Sequence, residues 1–278
     1  MRVPFTKMHG LGNDFVVLDQ LTQNHFIGQK KIKELSDRKR GIGFDQLIFI
    51  EPPTTPEVDF NFRVFNADGQ EIEHCGNGAR CFYRYVRDKR LTWKKNIKVS
   101  TELGHVLEMS PAPHGMVSVS MVSPNFKTEQ IPITLEQNNN DLIEVTLKNE
   151  TYELGMVSMG NPHCVLLVPD INVAPVKRLG QQLRIHPHFP EQVNVGFMEV
   201  VTPTRVKLRV YERGVGETLA CGTGACAAVA VGIQQGWLQE RARVQLQGGY
   251  LHIKWKGDET PMIMTGPAES VFEGHLEL

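Results

Sequence analysis

The chain has 278 residues, 41% of them hydrophobic and 22% charged, with a formal net charge of −1. This length and composition describe about two ordinary globular domains, each large enough to bury its own core. The balanced charge argues against nucleic-acid binding, and no apolar run approaches the ~18 residues that a membrane span requires.

The N-terminus, Met1-Arg-Val-Pro-Phe5, lacks the apolar core of a signal peptide, so a cytoplasmic location is expected. Five cysteines in so large a chain read as reduced thiols rather than a disulfide scaffold. Leu11 to Leu18 is a Gly-Asn pair followed by a β-branched strand. Lys30 to Arg38 is a candidate helix, and the block Asp37-Arg-Lys-Arg40 reads as its solvated surface. Strands are predicted at Gln46–Ile50 and Phe60–Phe65. A Gly-rich turn then opens a helix over Asn77 to Asp88, whose end, Arg87-Asp-Lys-Arg90, also reads as solvated surface. Met116–Met121 is a strand and Pro124–Phe126 a crossover. Asn138 to Asp141 is a polar turn. In the second half, Met159 to Leu167 is again a Gly-Asn pair and strand. Val206–Tyr211 is a strand, Thr223 to Gln235 a helix, and Tyr250–Trp255 a strand. The run Ala225-Cys-Ala-Ala-Val-Ala-Val-Gly-Ile233 is apolar all round, which marks a buried helix. The last dozen residues are expected to return to the first domain as a strand.

Two stretches match closely. Glu71-Ile-Glu-His-Cys75-Gly-Asn-Gly-Ala79 lies over Glu217-Thr-Leu-Ala-Cys221-Gly-Thr-Gly-Ala225. Phe65 then falls on Tyr211 and Asn66 on Glu212. The order of Gly-Asn strand followed by Cys-Gly-x-Gly helix thus recurs about half a chain apart. It predicts duplication: two similar α+β domains related by a pseudo-twofold axis, each wrapping mostly antiparallel strands around a central helix.

A free thiol has a pKa near about 8.5, lowered where helix dipoles favour an anion. Cys75 and Cys221 each precede such a helix start, and the glycines leave backbone N–H groups open to a small anion such as a carboxylate. Two thiols among fixed donors suit removal of a proton from the α-carbon of an amino acid. One thiolate serves as base, one thiol as acid, and the donors stabilise the charge that develops on the carboxylate. The pair is not symmetric in sequence, since His74 precedes Cys75 and Ala220 precedes Cys221.

Plainer readings compete. A lone cysteine is usually a small buried hydrophobe, and Cys81, Cys164 and Cys226 read that way. No Cys-x-x-Cys spacing supports zinc, and His186-Pro-His188 reads as a surface loop. Gly222-Thr-Gly-Ala-Cys-Ala227 fits a dinucleotide pattern, but Val215 to Ala220 is a poor preceding strand and Gly236 to Glu240 is not a second one. A non-catalytic metal or thiol-redox module is the reading of a different class.

These motifs resemble the diaminopimelate epimerase family. Met8-His-Gly-Leu-Gly-Asn-Asp-Phe15 is similar to its N-terminal signature. Phe65 to Cys81, Gly160-Asn-Pro-His163, Asn194-Val-Gly-Phe197 and Tyr211 to Ala225 follow in the family's order. The one small departure is His74, where the family often has Met. The resemblance implies domains at 1–122 plus 267–278 and at 123–266, with the active site in the cleft between them. It implies an isomerase without cofactor or metal that interconverts LL- and meso-diaminopimelate, a step toward lysine and peptidoglycan. Cys75 and Cys221 would be the base and acid, with His163 and Glu212 sharing in the proton chemistry. Gly76, Asn77, Gly222 and Thr223 would hold the reacting carboxylate, and Asn13, Gln46, Asn66, Asn161, Asn194, Glu212 and Arg213 would line the substrate. Taken alone, Asn13 and Asn161 read as turn residues, His163 as a structural histidine, and Arg213 equally as surface charge or carboxylate clamp. The resemblance also implies a homodimer, with Phe272 where the family often has Tyr at the contact. The alternative is a related racemase acting on proline or hydroxyproline, but those relatives carry His at the position of Asn77 and lack the Gly160-Asn-Pro-His163 motif.

Overall fold

The computed structural model describes residues 2–23, 25–72, 75–102, 104–127, 131–134 and 142–278. His74 and the Asn138–Asp141 turn therefore lie outside the described residues. The chain forms two compact units, Met1–Ser120 with Thr265–Leu278, and Met121–Met264.

In the first unit β1 (Arg2–Gly10) and β2 (Asn13–Asp19) form an antiparallel hairpin. Helix α1 (Gln29–Ser36) then leads to β3 (Gln46–Glu51), which lies parallel to β2. An antiparallel partner, β4 (Phe60–Asn66), turns back through the short β5 (Glu71–Ile72). Helix α2 (Gly76–Asp88) leads to β6 (Ile97–Ser100), which pairs in parallel with β4. Antiparallel β7 (Val106–Pro111) and β8 (Val117–Met121) follow.

The second unit repeats this plan after β9 (Ile143–Leu147). Strands β10 (Glu150–Ser158) and β11 (Pro162–Leu167) are antiparallel. Helix α3 (Val176–Arg184) leads to β12 (Asn194–Thr202), parallel to β11. Antiparallel β13 (Arg205–Glu212) turns into β14 (Gly216–Thr218). Helix α4 (Gly222–Gln234) then leads to β15 (Arg241–Leu246), parallel to β13, and to antiparallel β16 (Gly249–Lys254). After β17 (Met262–Gly266), β18 (Glu269–Glu277) pairs antiparallel with β1, as β9 does with β10. The predicted α+β repeat is thus realised, and the C-terminal segment returns to the first unit. Each parallel pairing coincides with a helical crossover, as parallel neighbours require.

Helices α2 and α4 differ as their sequences do. Helix α4 buries Ala225 through Val231 on every side, because strands surround it. Helix α2 buries Ala79, Cys81, Phe82 and Val86, with Phe82 edge-on to Phe62 at 5.2 Å and to Phe60 at 5.9 Å between ring centroids. Such ring pairs add to what burial alone contributes. Its exposed side carries the Arg84–Asp88 pair at 2.9 Å.

The block Asp37-Arg-Lys-Arg40 departs from the expected helix surface. Helix α1 stops at Ser36 because the Asp37 carboxylate accepts the backbone N–H groups of Lys39 and Arg40, a local turn that competes with helix. Helix α3 was not expected; Val176, Leu179, Gly180 and Leu183 form its buried stripe. Among the described residues no helix is long and apolar enough to cross a membrane.

Candidate active site

Cys75 and Cys221 stand at the same place in the repeat, each the N-cap of the second helix of its unit. Both have extended backbones, with φ/ψ of −141°/113° and −112°/112°. Each sulfur accepts a backbone N–H three residues on, from Gly78 at 3.5 Å and from Gly224 at 3.3 Å. A thiol thus does the work of a Ser or Asp cap, at the positive end of a helix dipole. The Cys-Gly-x-Gly spacing has a steric reason. A Cβ at Gly224 would lie 3.2 Å from the Cys221 sulfur and 3.0 Å from Val210. One at Gly78 would press on Phe15, Ile48 and Phe62 at 3.2–3.4 Å.

The hairpin before each cysteine is held by a repeated ion pair. Arg63 forks onto both oxygens of Glu71 at 2.7 Å each, and Arg209 onto those of Glu217 at 2.6 and 3.1 Å. Fork-on-fork geometry makes these strong, directional pairs.

In the first unit the amides gather near Cys75. Its thiol donates to Asn13 Oδ1 at 3.7 Å, and Asn77 Nδ2 donates to the same oxygen at 3.2 Å. Gln46 and Asn66 are cross-strand partners on β3 and β4, joined by Nε2 to Oδ1 at 3.0 Å. Gly76 and Asn77 are the buried first residues of α2. The structure therefore brings Asn13, Cys75 and Asn77 into direct contact and places Gln46 and Asn66 side by side.

In the second unit Cys221 is 5% exposed and its sulfur lies 3.6 Å from Thr223 Oγ1. Burial pushes the thiol well above its ordinary range, and the neighbouring Glu212 carboxylate pushes it further. Glu212 also accepts a hydrogen bond from the Thr218 hydroxyl across the β13–β14 hairpin. Asn194 is held at both ends of its amide. Its Nδ2 donates to the Pro162 carbonyl at 3.1 Å, and its Oδ1 accepts the Arg213 backbone N–H at 2.8 Å. The Arg213 guanidinium donates to the Glu191 carbonyl at 3.1 Å. Gly222 begins α4.

His163 is 1% exposed and its Nε2 lies 3.0 Å from Asn161 Oδ1. Burial, with a smaller contribution from the Arg213 charge, lowers its pKa to about 3. Both causes favour the neutral imidazole, whose contact with Asn161 orients that amide.

Cys81, Cys164 and Cys226 are outside any disulfide and fully buried, as core thiols should be. Burial pushes the Cys81 and Cys164 thiols up, away from reactive thiolate. The His186 and His188 rings lie 4.7 Å apart, tilted by 45°, but among the described residues no group of three or more His, Cys, Asp or Glu could hold a metal ion. Gly216–Thr218 does form a strand, contrary to expectation. It is antiparallel to β13, not the parallel strand of a dinucleotide fold.

Sequence reasoning missed the support around Asn13. Arg38 forks onto Asp14 at 2.8 and 2.9 Å and reaches Asp45 at 2.8 Å, while Lys7 pairs with Asp14 at 2.6 Å. These contacts pull the Asp14 carboxyl well below the usual range although burial opposes them. The only signal was charge on both sides of two glycine-rich turns.

Comparison with known proteins bears on the family and the fold. The family described as diaminopimelate epimerase matches residues 5–127 and 155–271. A diaminopimelate epimerase of Pseudomonas aeruginosa (strain LESB58) is 52% identical over 278 residues, covering 100% of both chains. Among solved structures, a hydroxyproline epimerase from Agrobacterium vitis superposes with a TM-score of 0.72 at 13% identity, covering 99% of this chain and 92% of that one. A PhzF-family phenazine biosynthesis protein of Bacillus anthracis gives 0.69 at 15% identity, covering 100% of both. At such identities the structural likenesses bear on the fold alone. The near-complete family match and the full-length relative establish that the chain belongs to the diaminopimelate epimerase family.

Proposed function

We propose that this protein interconverts LL-2,6-diaminopimelate and meso-diaminopimelate without a cofactor, using Cys75 and Cys221 as a base and acid that exchange roles with direction. The observation that carries the reading is the repeated cap: one thiol per unit, each at a helix N-terminus. There, backbone N–H groups favour a thiolate and a nearby carboxylate alike.

The α-hydrogen is weakly acidic, so charge must be stabilised as it leaves. The N–H groups of Gly76, Asn77, Gly222 and Thr223 are fixed dipoles that would hold the α-carboxylate and receive that charge without reorganising. One thiolate removes the proton as the other thiol delivers its own, which inverts the centre. Asn13, Gln46, Asn66, Asn161, Asn194 and Arg213 offer amides and a guanidinium to the two amino-acid ends of the substrate. Glu212 has a second part in this scheme. Burial first and its charge second favour the protonated Cys221 thiol; a substrate ammonium beside it would offset that charge and ease ionisation. His163 contributes through Asn161, as a neutral orienting group.

A cytoplasmic location and assembly as a homodimer belong to the same reading. Phe272 supports the latter: it packs edge-on against Phe5 at 6.0 Å yet remains 47% exposed.

The test is epimerisation of LL-diaminopimelate by Cys75→Ser and Cys221→Ser. Each variant should lose activity by roughly 10²–10⁴-fold, the scale of general acid–base catalysis, with folding intact. Near-normal turnover in either would sink the mechanism.

A further inference from the structure

Two side-chain amides near Cys75 are fixed from opposite ends by charged groups. At one end Arg80, fully buried, donates from Nη2 to Asn77 Oδ1 at 2.9 Å. A guanidinium only donates, so the oxygen of Asn77 must point to it and the Asn77 NH2 must point away. That NH2 meets Asn13 Oδ1 at 3.2 Å. At the other end the Asn13 NH2 donates to Asp45 Oδ2 at 3.1 Å. A carboxylate only accepts, so this contact fixes Asn13 in the same sense. Donor-only and acceptor-only ends therefore agree on one direction for the whole chain of bonds. As a result it is the Asn13 carbonyl oxygen, not its NH2, that lies 3.7 Å from the Cys75 sulfur.

Both ends are built firmly. Arg80 also donates to the Pro267 and Gly76 carbonyls at 3.0 and 3.4 Å. Asp45 is held by Arg38, and Asp14 and Asp45 exchange backbone-to-carboxylate bonds at 3.1 and 2.9 Å. Lys7 completes the charged set on Asp14. Among the described residues the second unit shows no counterpart. Thr223 replaces Asn77 and Cys226 replaces Arg80 in the repeat, and Asn161 is turned to His163 rather than to the thiol.

We propose that Asp45 and Arg80 are positioning residues that lock the amides of Asn13 and Asn77, so that a carbonyl oxygen faces Cys75 and holds it as a hydrogen-bond-donating thiol in the unliganded enzyme. This rests on the two-thiol reading above and deepens it. Both cysteines then rest protonated by different devices, Cys221 by burial with Glu212 beside it and Cys75 against Asn13. Substrate must relieve one of them before the proton can move.

The test uses the ultraviolet absorbance of the thiolate at fixed pH, read as the difference between each protein and its Cys75→Ser counterpart. It is made in molar salt so that a lost surface charge is screened. Asp45→Asn leaves Asn13 free to turn its NH2 to the sulfur, and the Cys75 thiolate signal should rise severalfold. Asp45→Ser should do the same. Arg38→Gln keeps the Asn13–Asp45 bond and should leave the signal unchanged. The turnover number of Asp45→Asn should fall roughly 10–100-fold, the cost of a misplaced reacting group, with a smaller change in KM. Unchanged thiolate signal in both Asp45 variants, or an equal rise in Arg38→Gln, overturns the proposal. The absorbance needs no turnover, so the two readings fail separately: an active Cys75→Ser refutes the two-thiol mechanism, whereas an inactive Cys75→Ser with an unmoved signal refutes the relay alone.

Discussion

His25 is 6% exposed, and among the described residues neither ring nitrogen has a hydrogen-bond partner. Burial lowers its pKa, as it does that of His163. The sign of the linkage follows. An unfolded histidine titrates near about 6.5, so below that pH the unfolded chain binds protons that the fold excludes. Stability is complete above about 6.5 and falls as pH drops, by at most about 1.4 kcal/mol per unit for each histidine. For His163 the loss continues to pH about 3. Asp14 acts in the same sense in a lower window, once pH falls below the ordinary carboxylate range. Thermal midpoints measured from pH 7 to pH 5 should therefore decline, and His25→Leu should flatten the decline. A midpoint independent of pH in the parent would contradict this account. At this scale the cysteines were legible because they recur in one motif. Asp45 and Arg80 were not, because their meaning lies in contacts with Asn13 and Asn77, and Asp45 is far from Asn13 in sequence. These contacts are an asymmetry between the two thiols separate from that at His74, which lies outside the described residues.

The elements themselves were largely legible, since strand alternation and Gly-rich helix starts are local signals. The exceptions have local causes too. Helix α3 has Pro175 at its N-cap, with no capping side-chain hydrogen bond, and carries Gly180 in its middle, so its start and stop signals are weak. Strand β14 has three residues and exists because it pairs with β13. The two N3 glycines look equivalent in sequence but differ in what they touch. Gly224→Ala puts a methyl against the Cys221 sulfur, and the turnover number should fall at least roughly tenfold through a displaced reacting group. Gly78→Ala instead meets the rings of Phe15 and Phe62 and the tip of Ile48, and should cost about 1–3 kcal/mol of stability by overpacking. Steady-state kinetics beside denaturant unfolding of both variants checks the contrast. Equal loss of activity with equal stability would show that the sulfur contact is unimportant.

For the molecule as a whole, the duplication read from two Gly-Asn pairs and two cysteine turns extends to every pairing from β1 to β7, which β10 to β16 repeat in order. Repetition of the Arg63–Glu71 pair as Arg209–Glu217 shows that even the supports of the cysteine hairpins were copied. The surroundings of the thiols then diverged, toward an amide relay at Cys75 and a carboxylate at Cys221. In the proposed mechanism the two thiols are separate proton carriers, each exchanging with water between turnovers. The direct measurement is epimerisation of LL-diaminopimelate in heavy water, with deuterium located in substrate and product at early times. Two bases predict solvent deuterium at the inverted α-carbon of each product molecule and almost none in unreacted substrate. Return of the original hydrogen to the product, or early labelling of both isomers alike, would mean one shared base and would contradict the account.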